Sequence, residues 1–155
     1  MPKHTYSLII TVLFFVVQFL ACGDRGPTEI HYGQDQCDHC KMTIADKKFG
    51  SEMITAKGKV YKFDSIECLA AYDVTNKLAT DDIHSMWVSD FIHPGTFINV
   101  DNATIIASER QKSPIGIGLL AVSSSEKATP IIQAVGGKVL DWEQVCALVA
   151  ADWHL

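Results

Sequence analysis

The stretch Cys37-Asp38-His39-Cys40-Lys41-Met42 constrains this chain more than any other. It sets two thiols and a thioether within six residues, and these are the side chains that soft, reduced metal ions prefer. It also opens the part of the chain that reads as folded. Before it lies a polar, turn-prone tether, residues 23–36, with no strand pattern. Redox-active Cys-x-x-Cys pairs usually follow a strand and open a helix, and this one follows a polar tether with no preceding strand.

The N-terminus decides how much chain is left to fold. Lys3 and His4 precede an uncharged apolar run, residues 8–21, broken only by Thr11 and Gln18. The run falls short of the roughly 20 residues a bilayer span needs and suits the core of a signal peptide. It ends at Ala21 and Cys22, followed by Gly23-Asp24-Arg25-Gly26-Pro27. Leu20-Ala21-Cys22 resembles the end of a bacterial lipoprotein signal, which makes Cys22 the expected lipidated first residue; Phe19 stands where that motif more often has Leu. Ordinary secretion and an uncleaved anchor are the alternatives. Removing residues 1–21 leaves 134 of the 155 residues, enough for one domain or two intimate halves. The formal charge of the chain is -5, and no basic stripe could follow a phosphate backbone, so a nucleic-acid partner is not expected.

The remaining chain reads as α+β, with two related small ββαβ units packed together. Residues 49–55 and 59–63, around the turn Lys57-Gly58, predict a β-hairpin. Asp64-Ser65 can cap a helix that carries Glu67 and Cys68 in its first turn. Residues 86–91 read as a further strand and complete a first unit, 37–92. The second unit, 93–155, reads as strands at 97–100 and 103–106 about the turn Asp101-Asn102, then a strand at 117–122. A helix follows over 126–135, stopped by Gly136-Gly137, and a last helix over 140–151 is capped by Asp141. Residues 1–21 form the signal peptide in this reading and 22–36 the lipidated tether. Residues 58–66 also echo 137–145 at a constant offset of 79, which suggests a duplicated unit with the thiols in one copy only.

Three chemistries fit the cluster. Cu(I) takes few ligands and prefers thiolate and thioether, so Cys37, Cys40 and Met42 form a soft site. Zinc would need two ligands beyond Cys37 and Cys40, with Cys68, Cys146, His39 or His84 as candidates, and Met is a poor zinc ligand. A disulfide or dithiol exchanger is the third. Four cysteines remain besides Cys22, enough for two disulfides in an oxidising compartment. Met53 and Met86 read mainly as core residues with a possible copper-side role, Cys68 and Cys146 as buried free thiols, and His31 as a tether residue. Enzyme chemistry has no support: there is no phosphate-cradling glycine loop before Lys-Thr/Ser, no His-Glu-x-x-His motif and no local Cys–His dyad.

Cys37-x-x-Cys40-x-Met42 near the start of a small exported lipoprotein resembles the NosL family, copper-chaperone accessory proteins of nitrous oxide reductase. The resemblance extends over the hairpin and helix at 49–72 and over Ser113-Pro114-Ile115-Gly116-Ile117-Gly118-Leu119. It implies a periplasm-facing lipoprotein that binds Cu(I) through Cys37, Cys40 and Met42. The partners it implies are nitrous oxide reductase and a membrane transporter, with a lipid anchor holding the chain to the membrane. It implies no enzymatic activity. This chain departs from the family pattern at Ile115, where Met is common, and at Lys41, where many members have Gly. The alternatives on residues alone are a disulfide-stabilised lipoprotein that binds another protein and a thiol–disulfide exchange protein.

Overall fold

The computed structural model describes residues 26–155 apart from Lys77, so the expected signal peptide, residues 1–21, and the expected lipidation site, Cys22, lie outside the described residues. The chain runs β1 (Ser51–Thr55), β2 (Val60–Phe63), α1 (Ile66–Asn76), β3 (Ile83–Ser89), β4 (Phe97–Asn99), β5 (Thr104–Ala107), β6 (Leu119–Val122), α2 (Ser125–Val135), β7 (Lys138–Leu140) and α3 (Trp142–Trp153). Two antiparallel sheets result, one in the order β2-β1-β3-β4 and one in the order β6-β5-β7.

The predicted hairpin forms, with Ser51 opposite Phe63 and Ile54 opposite Val60. The turn works because Gly58 takes a positive φ of 84°, which a β-carbon would disfavour. In each sheet the third strand returns to pair with the first, beyond a helix that follows the second. That is the same ββαβ path twice: β1-β2-α1-β3 and β5-β6-α2-β7. β4 belongs to the first sheet. Residues 97–99, which read as the start of a hairpin with 103–106, pair with β3 instead, through Val88 opposite Ile98. The 3-10 turn Val100–Asn102, with the Asn99 side chain accepting from Asp101 N, redirects the chain away from that pairing.

The common path also corrects the sequence echo. It sets α1 beside α2, so that Ser65 corresponds to Ser124, Glu67 to Glu126 and Cys68 to Lys127. The offset of 79 instead joins β2–α1 to β7–α3, and α3 is an addition after the second unit. Both segments run from strand into helix, so their likeness is shared junction grammar.

Alternation across β6 explains how the layers hold together. Leu119 and Ala121 face the main core, while Leu120 and Val122 face α2 with Phe49, Ile106 and Ala128. All four residues of β6 are therefore buried. The main core draws Phe63, Leu69 and Val88 from the first unit and Ile105, Leu140, Val145 and Val149 from the second unit and α3. A parallel bridge, Asp90 to Ala121, with Phe91 N donating to Ala121 O at 2.9 Å, ties the end of β3, an inner strand of the first sheet, to the free edge of the second sheet at β6. Helix α1 starts inside this core: Ile66 through Ala71 are consecutively buried. Such a helix has no clean polar face, and it carries its second and third residues, Glu67 and Cys68, into the interior. Among the described residues no helix is long and apolar enough to cross a membrane.

Candidate metal centre

The Cys37–Met42 stretch is a tight loop laid against β2. It is closed by a bridge between Gln36 and Thr43, and Cys37 N donates to Met42 O at 2.8 Å. Lys41 turns the chain with a positive φ of 65° and donates its N–H to Cys37 O. Glycine adopts such a left-handed backbone without strain, whereas the lysine here must carry its β-carbon through it. Asp38 anchors the loop with two bonds of 2.8 Å, its N–H to Lys62 O and its Oδ2 from Lys62 N.

The loop brings Cys37 and Cys40 over the first turn of α1, where Cys68 waits. The three Sγ atoms lie within 4.8 Å of one another, a grouping that can hold a single metal ion. Ser65 caps the helix, accepting from Cys68 N at 3.3 Å, and so fixes the turn that presents the third thiol. All four described cysteines, with Cys146, are free. Exposure is graded across the triad. Cys37 and Cys68 are fully buried, Cys40 is half-buried, and Met42 beside it is 54% exposed.

The electrostatics favour one standing thiolate. The Cys68 thiol donates to Cys37, and the backbone N–H groups of Asp64, Cys40 and His39 point at the same sulfur. Despite its burial, Cys37 is pushed down to about 5. Cys68 moves far upward, because it donates to that thiolate and is itself desolvated. Cys40 also rises, chiefly through desolvation. In this arrangement the triad holds one negative charge buried among hydrogen-bond donors and two protons that a thiophilic cation would displace.

The other candidates fall elsewhere. His39 is half-buried and stacks on Trp153 of α3, with ring centroids 5.7 Å apart and planes 16° apart. His31 approaches Asp35 at 3.6 Å. Met53 is fully buried in the main core, opposite half-buried Met86 across β1 and β3. Cys146 Sγ lies 3.9 Å from Asp73 Oδ2, between α1 and α3. No His, Asp or Glu joins the three thiols in a ligating cluster among the described residues, so they do not make the closed four-ligand site of structural zinc. Cys68 was visible in sequence only as one of several possible zinc ligands. Its separation from Cys40 carries no spacing signal; what could have raised it was its place in a capped first turn directly after a hairpin.

Fold and site together define a class: a small doubled ββαβ protein with a thiol-rich metal centre at the junction of loop and helix. A family model described as NosL matches residues 27–149. The chain belongs to the NosL family. A solved structure described as the copper chaperone NosL from Shewanella denitrificans has the same fold, with a TM-score of 0.66 and 20% identity; the match covers 77% of this chain and 96% of that one. No curated protein matches the chain.

Proposed function

We propose that this protein binds Cu(I) and hands it to a copper acceptor. The observation that carries this reading is the triad itself: three free thiols within 4.8 Å, graded from fully buried to half-exposed. Cu(I) accepts two or three sulfurs, so a site of three thiols without a fourth acidic or imidazole ligand suits it better than zinc. Cys37, Cys40 and Met42 are the proposed ligands from the loop, and Cys68 is added from α1. Thiolates that hold a soft ion exchange by association. An incoming sulfur can bind before an outgoing one leaves, and the open side of the site is where Cys40 and Met42 stand. Met42 offers a neutral sulfur there, weak enough to be displaced by an acceptor. The chain's own task is holding and passing on the ion, which fits a family of metal carriers rather than enzymes.

The recipient is proposed from family membership: copper delivery toward the nitrous oxide reductase machinery, with a membrane transporter beside it. Location follows the same line, an extracytoplasmic lipoprotein held by acyl chains on Cys22, with residues 23–36 as the tether. Two or more chains would give durable anchoring. Replacing Cys22 with Ala should abolish lipidation and membrane retention without changing metal affinity, as read by intact mass of the membrane fraction.

Anaerobic competition against a Cu(I) chelator tests the reading. One tightly held ion is expected, with Zn(II) unable to displace it, and with tight binding lost in Cys37→Ser/Cys40→Ser. Tight binding that survives this double change, or zinc displacing copper, overturns it.

A further inference from the structure

One buried acidic side chain is not used by the metal triad. Glu67 is fully buried and lies directly before Cys68 in the first turn of α1. Its Oε1 accepts three hydrogen bonds from the segment that leads into β6: from Ser113 Oγ, from Gly118 N at 3.0 Å and from Leu119 N at 3.1 Å. A carboxyl group is costly to bury unless donors reach it, and here they converge on Oε1 while Oε2 is buried without a hydrogen-bond partner among the described residues, so the side chain depends on this segment for its only hydrogen bonds. The loop is shaped for the task. Ser113 Oγ also accepts from Gly116 N and Gly118 N. Gly118 takes a φ of 94°, and a β-carbon there would stand 2.5 Å from Gln111 O.

The second unit shows that the fold does not require the clasp. Glu126 holds the corresponding place at the start of α2, and it is exposed, with Lys127 where Cys68 stands in the first unit. A buried carboxylate at this position therefore accompanies the thiol and not the ββαβ path.

We propose that Glu67 is a positioning residue for the metal centre: by clasping the 113–119 loop it fixes the first turn of α1 and holds the Cys68 thiol against Cys37 and Cys40. The second unit thereby helps to set the geometry of a site built wholly from the first. This inference rests on the reading of Cys68 as a metal ligand, and the test separates the two.

Cu(I) affinity is measured by anaerobic competition in wild type, Glu67→Ala, Cys68→Ser and the double variant, with far-UV circular dichroism as the check on folding. Glu67→Ala should weaken binding about 10–100-fold, the range for residues that orient metal ligands, yet change affinity less than about twofold when Cys68 is already Ser. Glu67→Gln keeps an acceptor oxygen for the loop and should retain most of the affinity. In the metal-free protein Glu67→Ala should also speed alkylation of Cys68, located by peptide mass. If Glu67→Ala does not fold, Ser113→Ala, which removes one donor of the clasp, takes its place in the same cycle. An equal loss in both backgrounds, or no loss in wild type, overturns the positioning role. A Cys68→Ser single variant that binds like wild type instead removes the third ligand itself, before any change at Glu67 is considered.

Discussion

The standing thiolate at Cys37 has a consequence that can be measured without any metal. Its ordinary value is 9.0 and the folded value is about 5, so the folded state binds the Cys37 proton more weakly than the unfolded chain does. A depressed folded value adds stability that is complete above the unfolded value and is lost as pH falls toward the folded one. Each unit is worth about 1.4 kcal/mol, but the thiol is already half ionised at pH 5, so this contribution is about 2 kcal/mol larger at pH 7 than at pH 5. The upward shifts of Cys40 and Cys68 oppose it only when the unfolded thiols begin to ionise, near their ordinary 9.0. The perturbation is Cys37→Ser, which removes the titrating sulfur while leaving a hydroxyl in its place. Urea unfolding of the reduced, metal-free protein at pH 5, 6, 7 and 8 gives the stability of each form. Subtracting the variant removes most of the carboxylate contributions, including those of Glu52 and Asp64, which burial pushes upward. The difference between wild type and variant should widen by about 2 kcal/mol from pH 5 to pH 7, and thiolate absorbance near 240 nm should show one group ionising near pH 5. A flat difference, with no thiolate below pH 8, would refute the hydrogen-bonding account of the triad.

Further changes probe separate parts of the structure. Met42→Ala should leave stability within about 0.5 kcal/mol, because the side chain is 54% exposed, and should weaken Cu(I) retention less than either loop-cysteine change; urea unfolding and chelator competition measure the two effects. Gly137→Ala should cost at least about 2 kcal/mol in the same unfolding assay, since φ is 111° and a β-carbon would lie 2.0 Å from Ala107 O. Asp141→Ala removes the capping box that starts α3, with Asp141 Oδ1 accepting from Gln144 N at 2.8 Å, and should lower the unfolding free energy by about 1 kcal/mol.

Much of the architecture was legible because it rests on local rules. The hairpin about Gly58, the capped starts of α1 and α3 and the stop at Gly136 are written in adjacent residues. The partner of β4 was not. Phe97–Asn99 looks like half of a hairpin, and only the competition between β3 and β5 for that edge decides where it pairs. The duplication was likewise sensed through the wrong segments, because Gly-Lys-Val before a helix recurs at a strand-to-helix junction whichever unit it belongs to. At the metal centre, the loop thiols announced themselves by spacing, whereas Cys68 is joined to them only through the packing of α1 under the loop. Glu67 was hidden for the same reason: its partners are 46 to 52 residues away in the chain.

X-ray absorption at the copper edge, recorded on the anaerobically loaded full chain, tests the central claim most directly. The account predicts Cu(I) with an inner shell made of sulfur alone, and a loss of one sulfur from that shell in Cys68→Ser. A shell containing nitrogen or oxygen from the protein, or a sulfur count unchanged by Cys68→Ser, would contradict it.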